Sequence, residues 1–418
     1  MRIAIAGAGI GGLLTALSLE AAGFDDIGVY ERSAEIRGLG VGINLLPHAV
    51  RELTELGIVD DIAAHAVRPT SLAYFNAFGQ SIWSEPRGTA AGYRWPQLSV
   101  HRGRLQLVLR DLVRERLGEV IRTDHRLVDV RSGADAAGRA LARFATGRGA
   151  QEVAADVVIG ADGIHSALRA QHYPAEGAPP SNGLTLWRGV ARAAPFLDGR
   201  TMIMAGDGGL KFVAYPLGPV EADGRMPINF IAERREAGGA SRAAEWNRAV
   251  PVEPIAERFA DWRFDWLDVP ALIRSADEIL EYPMVDRDAL PRWTFGNATL
   301  LGDAAHAMYP NGSNGASQAV LDARTLAHRL ATAATPEEGL AAYEAERRPA
   351  TTALHAQTRG TGPERVMLLA AERAPQGFAH IHEVIAPEEL EDIAAGYKRA
   401  AGFHAESLNA RSSLTVRG

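Results

Sequence analysis

Apolar positions along the chain fall into short runs separated by glycine and proline. Residues 2–6 (RIAIA) read as a buried strand, GAGIGG follows, and an apolar helical pattern covers Leu13–Ala22. A second strand is expected over Ile27–Tyr30, so the opening reads as a βαβ unit of a doubly wound α/β sheet. Leu45–Leu56 predicts a helix. His101–Leu117 predicts an amphipathic one, with Leu105, Leu109, Leu112 and Leu117 near one face. Asp156–Ile159 and Ala298–Leu301 repeat the buried-strand pattern. The middle of the chain differs. Short strand candidates around Trp187, Met202–Met204, Phe212–Tyr215 and Ile228–Ile231, punctuated by Gly and Pro, predict an antiparallel or mixed sheet. Beyond Ala316 the pattern is mostly helical, and no internal repeat is visible.

Length and composition narrow the class. A chain of 418 residues predicts two to three domains. The charge sum, 44 − 51 = −7, argues against nucleic acid or an anionic membrane surface as partner. No apolar run is long enough to span a bilayer, so no membrane span is expected. The N-terminus reads as folded protein rather than a signal peptide, because its glycines lead directly into the first helix. The absence of cysteine removes disulfides, thiolate metal sites and a cysteine nucleophile, and fits a cytoplasmic protein. Only Lys211 and Lys398 could form a Schiff base, and neither sits in a suggestive pattern. His380 and His382 have no evident third ligand and read as structural, so no metal is expected.

Three motifs carry the chemistry. Gly7, Gly9, Gly11 and Gly12 form G-x-G-x-x-G between a strand and a helix. The pattern allows a tight turn, close approach of a pyrophosphate, and a helix N-terminus facing the phosphates. Glu31, 19 residues after Gly12, suits ribose hydroxyls. An ADP moiety of FAD or NAD follows. GLGVG (38–42) and GDGG (206–209) lack the spacing for a second such site. The second motif is GADGIHSALR (160–169) and the third is Gly302-Asp303 in LLGDAAHAMYP. From the residues alone, Asp162 and Arg169 read as an internal ion pair tying strand to helix.

In this order and spacing the motifs resemble the single-component FAD-dependent aromatic monooxygenases, the p-hydroxybenzoate hydroxylase class. YEAERRP (343–349) also matches the class, and WSEPRG (83–88), HRG (101–103), WRGV (187–190), YPMVDRD (282–288) and NGASQA (314–319) are most similar to the phenazine-1-carboxylate-type hydroxylases. The resemblance covers about residues 2–350. It implies a discontinuous FAD-binding domain (1–72, 98–178 and 286–345), a substrate domain (73–97 and 179–285) and a C-terminal helical region (346–418). It implies that Gly7, Gly9, Ile10, Gly11, Gly12, Glu31, Arg32, Gly42, Ile43, Arg102, Gln106, Asp162, Gly302, Asp303, Gly312 and Gly315 contact FAD. Among these, Asp303 would bond the ribityl hydroxyls or cap a helix, and a helix from about Gly312 would point at the flavin pyrimidine edge. The family's common Gly-Gln-Gly-x-Asn is replaced by NGSNGAS (311–317), with Ser317 at the usual asparagine. Substrate would lie against Trp187, Arg188, Phe212, Tyr215, Met308, Tyr309 and Pro310, with Arg188 pairing a carboxylate and His306 or Tyr215 available as base.

The implied activity is hydroxylation of an aromatic or heteroaromatic substrate through a flavin C4a-hydroperoxide, with NADH or NADPH and O2 as co-substrates. A flavin reductase that inserts no oxygen and a flavin-binding protein without turnover are the alternatives. A homodimer through the C-terminal helices is a further expectation.

Overall fold

The computed structural model describes residues 1–235, 248–360, 362, 364–400 and 404–416, with backbone alone for 394–400, so the Lys398 side chain lies outside it. Arg2–Ala6 lies inside a six-stranded sheet. The order is Thr294–Phe295, Ala298–Leu300, Val157–Gly160, Arg2–Ala6, Asp26–Tyr30 and Ile121–Arg122. Every pairing is parallel except the first. Ile3, Ile5, Val29, Val157, Val158, Ile159 and Leu300 are buried, as strands covered on both faces require. Ala6 aligns with Tyr30 and Gly160, and Gly160 with Leu300. The segments beginning at Gly7, Glu31, Ala161 and Leu301 therefore leave the sheet at one edge. This is the carboxyl edge, where open α/β sheets bind ligands.

The expected helices form with small shifts at their ends. Arg102–Leu117 starts after His101, whose Nδ1 accepts the Arg104 N–H at 3.3 Å, and buries Leu105, Leu109 and Leu112. The helix expected from Gly312 begins instead at Gly315 and runs to Thr332. Gly312 (φ +74°) and Ser313 (φ +59°) are left-handed in succession, a path no right-handed helix follows. Pro336–Arg359 is one helix, so the domain boundary expected at 345 falls inside it. No helix among the described residues is long and apolar enough to cross a membrane.

An eight-stranded sheet stands opposite. Its order is Arg248–Val250, Ala276–Val285, Ser181–Ala193, Met226–Arg235, Leu210–Pro216, Thr201–Gly206, Ser71–Phe75 and Ser81–Pro86. Only the pairing of 201–206 with 71–75 is parallel. Strand alternation sorts its side chains. Trp187, Ile203, Phe212, Phe230 and Ile279 face outward and pack with Phe259, Trp262 and Leu272. Tyr74, Met202, Tyr215 and Leu217 face inward and pack with Val366, Met367 and Ala370 of the helix Arg365–Arg373. Leu186, Ile231, Tyr282 and Met284 also face inward and meet Tyr309, so the segment after the GD motif borders this inner face.

Candidate active site

At the nucleotide end, the glycines of the first turn have different reasons to be glycine. Gly7 has φ +107°, and a Cβ there would lie 2.3 Å from the Ala161 carbonyl oxygen. A Cβ on Gly12 would lie 1.9 Å from the Gly7 oxygen. The protein's own backbone demands both. A Cβ on Gly9 would meet nothing within 4 Å, and φ is an ordinary −72°. The open space at Gly9 lies before the helix Ile10–Ala21, whose N-terminus has no side-chain cap. That combination suits a phosphate. Glu31 stands over the same turn. Its Oε2 accepts the Ala8 N–H at 2.8 Å and its Oε1 accepts the Ser33 N–H at 2.9 Å. Gln106 donates Nε2–H to the Ala8 carbonyl at 2.8 Å. Arg102, one helical turn before it, is exposed and lies against Gly40, and Arg32 is exposed beside Glu31.

The DG and GD segments complete this wall. The Asp162 Oδ2 accepts the Ala167 N–H at 2.7 Å, whereas its Oδ1 is buried without a protein partner. Burial raises the carboxyl above its ordinary range, against the pull of these hydrogen bonds and of Arg32. Arg169 does not pair with Asp162. It binds Glu176, at 2.7 Å through Nε, and the carbonyls of Ala305 (2.9 Å) and Asp288 (2.7 Å). Asp303 is the first residue of a short helix, Asp303–His306, and not its cap. It is exposed, makes no bond to the described residues, and its Oδ1 lies 3.9 Å from the place a Cβ would take on Gly315. Both side-chain polar atoms of Asn314, just before the helix Gly315–Thr332, are buried without partners. Ser317 accepts the Leu46 N–H at 3.0 Å, tying that helix to the strand Gly42–Leu45. Unpartnered acceptors at Asp162, Asp303 and Asn314, an uncapped helix start and the open approach at Gly9 fit FAD.

His306 is anchored through one nitrogen. Its Nε2 lies 2.5 Å from Asp322 Oδ2 and its ring lies against Trp293, while its Nδ1 is buried without a partner among the described residues. Asp322 Oδ1 accepts the Arg347 Nε–H at 2.7 Å, and Oδ2 accepts the Gly302 N–H at 3.0 Å. Burial alone would raise the Asp322 carboxyl, but His306 and Arg347 outweigh it and hold it down at about 2. The network anchors the GD turn to two helices. The YEAERRP segment supplies Arg347 for this purpose.

At the other wall, the sheet separates the expected substrate residues. Trp187 and Phe212 lie on the outer face, in the closed aromatic core with Phe259 and Trp262. Both expectations are corrected by the two-residue alternation of the strands, which points neighbours to opposite faces. Arg188 and Tyr215 lie on the inner face. Arg188 donates to the Gly42 carbonyl at 2.9 Å and to the Tyr215 hydroxyl, and rests 5.8 Å from the Tyr282 ring centroid. Burial pushes the Tyr215 phenol up to about 12, against the pull of Arg188, which leaves it a poor base near neutrality. Tyr309 is buried against Leu186 and Met284, Met308 and Ile43 are half-buried, and Pro310 is exposed. Asn229 was not anticipated. It is fully buried and its Oδ1 accepts the Gly42 N–H at 2.7 Å. A polar residue between Ile228 and Phe230 in an apolar strand pattern was the available signal.

The two walls meet at Gly42 and at Tyr309. One wall offers hydroxyl acceptors and helix N-termini, and the other an apolar floor with one guanidinium at the strand Gly42–Leu45. No cluster of metal-ligating side chains occurs among the described residues.

The chain is also similar to known proteins. The family model for the FAD binding domain matches residues 1–205 and 265–358. A phenazine 1,6-dicarboxylic acid hydroxylase from Lysobacter antibioticus is 46% identical over 84% of this chain and 88% of its own. 3-Hydroxybenzoate 6-hydroxylase 1 from Aquipseudomonas alcaligenes is 30% identical over 83% of this chain and 84% of its own. Among solved structures, 2,6-dihydroxypyridine-3-hydroxylase from Arthrobacter nicotinovorans superposes with a TM-score of 0.69 at 25% identity, covering 86% of this chain and 91% of that one.

Proposed function

We propose, from the premise that this chain belongs to the FAD binding domain family, that it hydroxylates a flat aromatic or heteroaromatic acid of the phenazine-carboxylate kind. The chain is a flavin-dependent aromatic oxidoreductase with FAD as cofactor. NADH or NADPH would supply the electrons, and one oxygen atom of O2 would enter the ring while the other leaves as water. Bound FAD, once reduced, supplies the oxygen-activating chemistry.

The chain's own residues bind, orient and exclude water. Gly9 and the Ile10–Ala21 N-terminus would take the pyrophosphate, Glu31 the ribose hydroxyls, and Asp303 the ribityl chain. Arg188 carries the substrate reading. It is a guanidinium set in the apolar inner face beside Gly42 and would pair with a carboxylate. Leu186, Ile231, Tyr282 and Tyr309 would hold the rings and keep water from the reacting carbon.

The test is NAD(P)H oxidation by the FAD-loaded protein with and without phenazine-1-carboxylate, reading hydrogen peroxide and product mass. The expected product carries one additional oxygen, with or without loss of the carboxyl group. A product that gains only two hydrogens would make the protein a reductase. No response to this acid or to smaller aromatic acids would overturn the proposal.

A further inference from the structure

Gly42 is held at both of its backbone polar groups by side chains of the opposite sheet. Its N–H goes to Asn229 Oδ1 at 2.7 Å and its carbonyl takes the Arg188 Nη2–H at 2.9 Å. A Cβ on Gly42 would lie 2.6 Å from Asn229 Cβ and 2.7 Å from Leu217, so the strand cannot sit this close with any other residue. Each gripping side chain has one buried donor nitrogen without a partner. Asn229 Nδ2 and Arg188 Nε are both buried and have no partner among the described residues. Nδ2 shares an amide carbon with the oxygen that binds Gly42, and Nε shares a guanidinium carbon with the nitrogen that binds it. Both unused donors therefore lie within one functional-group width of the same residue. Asn229 pairs in register with Val190, two residues along the strand from Arg188 and on the same face, and with Tyr215 on its other side. Buried donors in native proteins find acceptors, and here the protein supplies none.

We propose that Asn229 and Arg188 form one two-donor subsite that takes the carboxylate of the aromatic substrate while fixing Gly42. The subsite rests on the reading of Arg188 given above and adds a specificity-determining residue, Asn229, to it. The substrate acid and the strand that borders the flavin site are then read by the same two side chains.

The Asn229→Asp variant separates the two roles. An aspartate oxygen still accepts the Gly42 N–H, but the second donor becomes an acceptor. The FAD-loaded variant and wild type are titrated with phenazine-1-carboxylate and with its carboxamide, following the perturbation of flavin absorbance. The expected result is FAD affinity within about 3-fold of wild type and acid affinity reduced about 10–100-fold, the size of a lost hydrogen bond to a charged group. The carboxamide, whose NH2 can donate to the new oxygen, should bind as well as to wild type. Equal weakening of acid and amide, or of neither, overturns the subsite. So does lowered FAD affinity with unchanged acid binding, which would make a flavin oxygen the acceptor. Wild-type protein that binds acid and amide equally would instead overturn the assignment of Arg188 itself. Asn229→Ala, which loses both roles, should weaken FAD and acid together.

Discussion

Trp187 and Arg188 are neighbours in one strand and face opposite ways. On Trp187's side the eight-stranded sheet is finished. Phe212 stacks on Phe230 at 5.7 Å, Phe259 meets Trp262 at 5.0 Å, and the Trp187 indole N–H reaches Glu281 at 2.9 Å. On Arg188's side the apolar packing is similar, but polar atoms are left over at Arg188 and Asn229. The outer face is richer in aromatic rings, yet nothing there is unfinished. Aromatic content therefore marks a core, and unsatisfied polarity inside apolar surroundings marks a site. Lys211 shows the same distinction from the other side. It too faces inward and is buried, but it is satisfied by Glu233 at 2.9 Å and Glu364 at 3.1 Å, so it pins the helix Arg365–Arg373 to the sheet.

If the outer face is only core, Phe212→Ala should show the largest effect on stability and none on recognition. Removing a fully buried phenylalanine leaves a cavity and costs about 3–5 kcal/mol. Denaturant unfolding should report that loss, while the affinity of the remaining folded protein for an aromatic acid stays within about 2-fold. A change in acid affinity comparable with the stability loss would break the distinction between the faces. Arg188→Met should do the reverse. Acid binding should fall by about 1.5–3 kcal/mol, and unfolding free energy by less than for Phe212→Ala. Titration of the FAD-loaded variant with acid and with a neutral analogue checks it, since the neutral analogue should lose little.

The same contrast explains what could be read from residue order alone. The G-x-G-x-x-G turn, Glu31, Asp162 and Asp303 lie on strand ends of a parallel sheet, where spacing and connection fix position. Their place at one edge was legible. Trp187 and Phe212 were misplaced for local reasons. A strand shifted by one residue exchanges its faces, and no residue type within 187–188 or 212–213 says which face turns inward. His306 belongs to a four-residue helix whose orientation depends on Asp322, 16 positions later. Asn229 interrupts an apolar strand pattern, but its role was not legible because its partner, Gly42, is 187 positions away. Ser313, left-handed without being glycine, gave no cue that the following helix would start late.

A smaller effect sharpens the outer-face reading. Trp187→Phe keeps a ring but leaves Glu281 with Arg248 alone among its side-chain partners. It should cost about 1–2 kcal/mol, from one hydrogen bond and part of the ring volume, with no change in acid binding. Thermal unfolding at neutral pH measures it.

The smallest effect at neutral pH belongs to Tyr215→Phe, and its sign depends on pH. Near pH 7 the variant loses only the bond from Arg188 to the hydroxyl, about 0.5–1.5 kcal/mol. The folded-state phenol is raised to about 12, whereas an unfolded tyrosine ionises near 10. Its stabilisation is therefore complete below pH 10 and is lost as pH rises toward 12. Over that interval wild type should lose up to about 2–3 kcal/mol that the variant cannot lose. Tyr74 and Tyr343, which burial also raises, are common to both proteins and cancel in the difference. The variant should be the less stable protein at pH 7 and the more stable one near pH 12, with the curves crossing around pH 11. Paired denaturation curves across that range decide it. A difference that stays constant would place the hydroxyl in contact with solvent, and the inner face at Tyr215 would then be wetter than its packing against Met202 and Leu217 allows.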